Sequence, residues 1–299
     1  MQLHVGCEFT YESTPPTPAV ALVQPRTDLA HTLLNERWQI RPHADRHEYR
    51  DLFGNRCERF TLSGGNSTIR YDALVDVTAE ADPVDYTAPQ HEVENLPDET
   101  LVYTLASRYC LTETLSQVAW HLFSWSTPGW QRVQAVCDWV HNNIRYGLIT
   151  STPMTTAVDV YAAGGGMCRD FAHLAITFCR ALNIPARYVF GYMPDIGIPG
   201  PFSPMDFHAW FEVYLGDRWW TFDARFNKPR IGRVPIGIGR DAVDVAMVTT
   251  YGPAIFKEMT VWAELFEEND LEFLPPATTN SGLARSEGLM LARNERRIR

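Results

Sequence analysis

Three observations predict an α+β protein. Short strands broken by Gly and Pro turns fill roughly the first eighty residues, helical stripes run from 112 to 182, and an alternating hairpin occupies 207 to 224. In the first stretch, Pro15-Pro16, Gly54-Asn55 and Gly64-Gly65-Asn66 separate strands of an antiparallel β domain. From 71 to 100 the chain carries nine acidic residues, no Lys or Arg, and Pro83, Pro89 and Pro97, which reads as an acidic linker or a solvated connecting strand. Thr112 can cap a helix with Leu115, Val118, Ala119 and Leu122 on one face, and Pro128 opens another with Val133, Val136, Val140 and Ile144 as its stripe. Apolar residues at 167, 171, 174, 175, 178 and 182 predict a third helix from Met167 to Leu182. A strand at 186 to 193, a loop with Pro194, Pro199, Pro201 and Pro204, and the hairpin complete the α+β core. The expected division is a β-rich domain over 1–95 with its acidic linker, a core domain over 96–265, and an extension over 266–299. The last part of that extension, 284–299, holds five Arg and two Glu with little apolar content and is expected to be mobile.

Composition excludes more than it assigns. With 299 residues and 45% hydrophobic content, the chain can bury one large core or two modest ones. A net charge of −10 argues against nucleic acid or an anionic membrane as the main partner, since both require a basic face. No apolar run approaches about 18 residues, so no membrane span is expected. The start Met1-Gln-Leu-His-Val lacks the basic and apolar blocks of a signal peptide. Cys7, Cys57, Cys110, Cys137, Cys168 and Cys179 show no C-x-x-C spacing, which predicts a cytoplasmic protein with reduced thiols. The histidines show no ligand spacing with these cysteines, so no metal is expected. Gly164-Gly165-Gly166 lacks the Lys-Ser/Thr of a phosphate loop, and Gly232 to Gly239 forms no strand-to-helix fingerprint; no cofactor is expected.

The chemistry concentrates at Cys168. It follows the three glycines and falls in the first turn of the predicted third helix, where unpaired N–H groups and the helix dipole favour an anion; thiolate is the nucleophilic form. Arg169 adds positive charge next door. The glycines are read as clearance for a substrate near the thiol.

A base is supplied by the hairpin. Phe207, Ala209, Phe211, Val213 and Leu215 alternate with His208, Trp210, Glu212 and Tyr214, the period of a half-buried strand. Gly216-Asp217 reads as a type II′ turn. If Leu215 pairs with Arg218, then Val213 faces Trp220 and Phe211 faces Phe222. In that register Asp223 is the diagonal neighbour of His208 on the same face, within reach of it. The register thus delivers a His–Asp pair to accompany the thiol. The bland readings prevail elsewhere: the other five cysteines are read as small buried hydrophobes, His173 as a packing or helix-surface histidine, and Trp210, Trp219 and Trp220 as core or cleft wall.

Gly-Gly-Gly-Met-Cys-Arg-Asp-Phe-Ala-His, then 182 to 192, His208-Ala-Trp and Phe222-Asp223-Ala together resemble the bacterial transglutaminase-like cysteine enzymes, in which the order Cys, His, Asp is the same. The resemblance continues through Arg225 to Arg233 and 239 to 246, and reaches back to 49 to 55 in the β domain. It implies a papain/transglutaminase-like catalytic core, with the Cys helix packed on an antiparallel sheet bearing His and Asp, preceded by a small β-rich domain. It further implies acyl transfer through a thioester with Cys168 as nucleophile, His208 as base and then acid, and Asp223 as orienter. The Cys168 N–H is the expected oxyanion donor. Tyr146, Gly166, Met167, Arg169 and Trp210 are candidates for the cleft or the second donor. The expected substrate is a peptide or protein amide, with hydrolysis ahead of transfer to an amine. The alternatives are an acyl-CoA-dependent N-acyltransferase, which orders its triad similarly, and a catalytically silent scaffold on the same fold.

Overall fold

The computed structural model describes residues 1–147, 151–199 and 204–266; of the expected extension over 266–299 all but Phe266, including the expected mobile stretch from 284, lies outside the described residues. The N-terminal region is sheet-rich, as its turns predict. It comprises β1 (Gln2–Ser13), β2 (Thr17–Ala21), β3 (Thr32–Arg41), β4 (His47–Arg50), β5 (Arg56–Leu62) and β6 (Gly65–Asp76). Alternation decides the faces: Leu3, Val5, Cys7 and Phe9 on β1 pair with Val75, Ala73, Tyr71 and Ile69 on β6, and all eight are buried. The first six residues of the expected acidic stretch are therefore strand rather than linker, since Tyr71–Asp76 is the end of β6. Its acids mislead because Asp72 is buried, holding Arg70 by a 2.8 Å hydrogen bond.

Helices follow: α1 (Asp98–Leu101), α2 (Thr112–Phe123) and α3 (Trp130–Asn143), then β7 (Arg145–Tyr146), α4 (Ala157–Ala163), β8 (Gly165–Gly166) and α5 (Cys168–Ala181). The second predicted helix starts two residues past Pro128, because Gly129 adopts φ 105° and a Cβ there would meet the Ala88 carbonyl at 2.4 Å. α5 is the centre of the molecule, packed on α2, α3 and α4 and on the sheet that carries the hairpin. Its stripe predicts one buried face, yet every residue from Asp170 to Ala181 is buried. Polar members survive there by local bonding: Arg180 donates to the carbonyls of Ala186 at 2.8 Å and Leu105 at 3.0 Å, and Thr177 to that of His173 at 2.7 Å.

The second sheet runs β11-β10-β9-β12, with β9 (Ala186–Tyr192), β10 (His208–Leu215), β11 (Arg218–Phe222) and β12 (Val234–Gly239). The predicted hairpin register is present, with Leu215 opposite Arg218, Val213 opposite Trp220 and Phe211 opposite Phe222. Two details differ. Gly216 and Asp217 both have positive φ, 54° and 67°, which is the type I′ pattern rather than II′. The strand is also buried on both faces: α5 packs against it, and Glu212 is neutralised by Arg187 of the neighbouring β9 at 2.7 Å.

β13 (Val248–Thr250) and β14 (Ala254–Leu265) return to the N-terminal region, giving sheets ordered β14-β1-β6-β3 and β13-β2-β5-β4. The end of the expected 96–265 segment thus hydrogen-bonds with strands of the first region. Val261 opposite Cys7 and Ala263 opposite Val5 extend the buried stripe of β1. One core joins both regions, and Phe9 stacks on Phe207, next to His208, with ring centroids 6.2 Å apart.

Candidate active site

Cys168 is the first residue of α5, as its glycines predict, and is half-buried, whereas the other five cysteines are buried. The turn is built backwards from Asp170, whose carboxylate accepts the Met167 N–H at 2.8 Å. Gly166 makes that possible: a Cβ there would meet the Asp170 Cβ at 2.6 Å. The glycine leaves room for the fold's own carboxylate rather than for a substrate, and Gly164, with φ 65°, serves as the left-handed end of α4. Arg169 is likewise turned inward, donating to Asp170 at 3.0 Å and to the Thr152 carbonyl at 2.7 Å.

His208 opens β10, and its Nε2 donates to Asp223 Oδ2 at 2.7 Å. That leaves Nδ1 free of Asp223, and the Cys168 thiol is among the groups that act on the ring. The Cys168 Sγ also lies 4.0 Å from the Phe207 carbonyl. Burial pushes the His208 ring down, but the charge of Asp223, the hydrogen bond to it and the hydrogen bond to Cys168 outweigh burial and hold the ring above its ordinary 6.5. Burial pushes Asp223 up, and His208, Arg233 and the surrounding hydrogen bonds reverse that, holding the carboxyl well below the usual range. Burial pushes the thiols of Cys57 and Cys110 up to about 11 and that of Cys7 up to about 12, and raises Cys137 and Cys179 as well.

A cavity of about 380 Å³ lies beside His208, with Tyr146, Met167, Asp206, Arg225 and Phe226 among its walls. Of the candidate residues, Tyr146 and Met167 line it; Gly166, Arg169 and Trp210 do not. Trp210 is buried among Val189 and Ile238 under the Arg233 guanidinium, which lies 4.8 Å from its ring. Arg225 covers the Tyr146 ring at 3.7 Å. Burial pushes Asp206 up. His173 is a packing residue, stacked on Tyr109, and burial pushes it down to about 3 while its Nε2 accepts the Ala242 N–H at 3.1 Å.

Arg233 was not among the predicted site residues. It donates from Nη2 to Asp223 Oδ2 at 3.0 Å and from Nε to Asp82 Oδ2 at 2.8 Å. Its only sequence signal is its place in the resembling stretch 225 to 233, while Asp82 stands in the acidic stretch 151 positions away. Among the described residues, no group of three or more His, Cys, Asp or Glu is placed to hold a metal ion, and no helix is long and apolar enough to cross a membrane.

Comparison with known proteins agrees with this architecture. Residues 117–224 match the core of the transglutaminase-like superfamily. The chain is 29% identical to a solved structure, the putative cysteine protease from Cytophaga hutchinsonii, with a TM-score of 0.79 over 90% of this chain and 95% of that one. An uncharacterized protein of Mycobacterium leprae is 26% identical over 251 residues, covering 80% of this chain and 88% of the relative. One from Mycobacterium tuberculosis is 27% identical over 241 residues, covering 74% and 77% respectively.

Proposed function

Residues 117–224 form a transglutaminase-like superfamily domain, and on that premise we propose that the chain is a thiol enzyme that opens peptide, isopeptide or glutamine-type amides through a thioester on Cys168. The observation that carries the reading is the buried 2.7 Å bond from His208 to Asp223, on the strand beside the one half-buried thiol, which starts a helix. Cys168 Sγ attacks the carbonyl carbon while the Cys168 N–H at the helix start receives the developing oxyanion. His208 gives its proton to the leaving nitrogen, the C–N bond breaks, and the acyl group stays on sulfur. His208 then takes a proton from water, whose oxygen attacks the thioester carbonyl, displacing the Cys168 thiolate and releasing the acid. An amine entering the same step would be acylated instead; water is the acceptor we favour. Asp223 keeps the ring in the tautomer and orientation that both steps need.

Tyr146 and Met167 are the cleft residues carried into the proposal. A peptide or protein amide is the proposed partner. Asp195 and Asp206 share the cavity with Arg225, an acidic balance that disfavours the phosphates of an acyl-CoA donor. The six unpaired thiols suit a reducing compartment, and a cytoplasmic location goes with the proposal.

The test is a screen of peptide, isopeptide and glutamine amides, read both for amine or ammonia release and by intact mass. An acyl adduct on Cys168 that hydroxylamine removes is expected. Turnover by Cys168→Ala at the wild-type rate would overturn the reading.

A further inference from the structure

Asp223 serves two cations with one oxygen. Its Oδ2 accepts from His208 Nε2 at 2.7 Å and from Arg233 Nη2 at 3.0 Å, while Oδ1 accepts the backbone N–H groups of Arg225 at 3.1 Å and Phe226 at 3.2 Å. The Arg233 side chain is only 5% exposed, so solvent does little to weaken its charge. A guanidinium in that position, taken alone, would neutralise Asp223 and oppose a proton on His208. Asp82 changes the balance. Its Oδ2 binds Arg233 Nε at 2.8 Å and the Arg230 N–H at 2.9 Å, and its own N–H donates to the Arg230 carbonyl at 2.9 Å. Asp82, Arg233 and Asp223 together carry one negative charge, which a protonated His208 cancels.

We propose that Asp82 and Arg233 are positioning residues for the His208–Asp223 pair: Arg233 fixes the carboxylate in place, and Asp82 supplies the counter-charge that leaves the carboxylate able to hold the imidazolium. The proposal rests on reading Cys168, His208 and Asp223 as a triad. Asp82 stands outside the cleft, on the stretch that joins the N-terminal sheets to the helices, and Ala81 bridges Ile231 beside it. It lines a second cavity, of about 370 Å³, that reaches Asp223 apart from His208. The connection between the two regions of the molecule is in this way part of the site's electrostatics. The other titratable and charged groups around His208 are Cys168 from α5, Asp206 at the entry to β10 and Arg225 from the loop after Asp223. Arg230 has its own partner in Asp195, at 3.8 Å.

The experiment follows iodoacetamide labelling of Cys168 against pH, with peptide mass mapping to separate the six thiols. The alkaline inflection of that profile marks the loss of the His208 proton. In Asp82→Asn the undivided charge of Arg233 falls on Asp223, and the inflection should move down by about half a pH unit to one unit. In Asp82→Asn/Arg233→Gln the guanidinium is gone, and the inflection should rise above the wild-type position. A purely structural ion pair would lower Tm in both variants and leave the inflection in place. An unmoved inflection in both overturns the proposal; if Asp82→Asn does not fold, the double variant decides alone, a rise supporting the proposal and no movement overturning it. Wild-type Cys168 that labels no faster than the other five cysteines would instead sink the triad reading, and this proposal with it.

Discussion

Among the described residues two His–Asp–Arg clusters stand out, each built on a buried His–Asp pair. In the N-terminal sheet, His4 Nε2 meets Asp72 Oδ1 at 3.2 Å and Arg70 holds the same carboxylate at 2.8 Å and 2.9 Å. In the second sheet, His208, Asp223 and Arg233 repeat the arrangement at 2.7 Å and 3.0 Å. Each has a cysteine close by, and the cysteines account for the difference. Cys7 lies inside β1, its backbone committed to ladders on both sides, and the Tyr192 hydroxyl points at its sulfur from 3.7 Å. Burial pushes it up to about 12, and the charge of Asp72 adds to the rise. Cys168 starts a helix, where N–H groups have no partner in the chain behind, is only half-buried, and follows Met167, which walls the cavity beside His208. The same acid–base pair therefore stiffens a sheet in one place and can serve chemistry in the other. Helix start and access, not the His–Asp pair, separate the two.

That contrast is breakable, beginning with the largest effect. Cys168→Ala should reduce turnover of an amide substrate to background, while Cys7→Ala should leave kcat/KM within about twofold and show only in unfolding by denaturant. A comparable loss in both would end the distinction. Asp223→Asn should cost turnover, though less than the roughly 10⁴-fold that the same change cost a serine-protease triad, because a thiol ionises more readily and leans less on the orienter. Its counterpart Asp72→Asn should leave turnover intact and lower stability by about 1–3 kcal/mol; reduced kcat/KM there would mean that the first cluster reaches the site.

The smallest effect is in the pH dependence of stability. The Asp223 carboxyl is depressed in the folded state, so its contribution is complete above the ordinary carboxylate range and is lost as pH falls through the depressed value. His208 is raised, so its contribution is complete below 6.5 and is lost as pH rises through the raised value. The stability gap between wild type and Asp223→Asn should consequently be widest between the carboxylate range and 6.5 and narrow on both sides. Denaturant titrations at three pH values would sharpen this, and a gap that widens above pH 8 would contradict the pairing.

Much of the site is legible in local pattern. Three glycines before an apolar stripe place Cys168 at a helix start, and Phe211 opposite Phe222 sets the register that brings Asp223 to His208. Both signals are short-range, spanning a turn or a hairpin. What escapes is long-range or two-sided. Asp82 and Arg233 meet across 151 positions with no shared period. Alternation marks one face of β10 as buried and says nothing of Glu212, whose partner Arg187 stands on the neighbouring strand. Trp210 reads as core or cleft wall, and the choice between them is made only by Val189, Ile238 and the Arg233 guanidinium, which enclose it as core. Gly166 reads as room for substrate because the clash it avoids, with Asp170, exists only once the helix has formed.

The pairing of β14 with β1 has a kinetic consequence. Leu3 finds Leu265 across nearly the whole described chain, and the Phe266 N–H reaches back to the Gln2 carbonyl at 3.0 Å. On the ribosome, β1 and β6 can meet after about eighty residues, but the other edge of β1 stays open until residue 265 has emerged. Contacts of such sequence separation are slow to close. In the interval β1 offers an unpaired edge, on a twelve-residue strand with one apolar face, to any passing strand. The helices and hairpin that surround Cys168 have by then been synthesised, so the thiol's surroundings can assemble while the sheet still waits for its last strand.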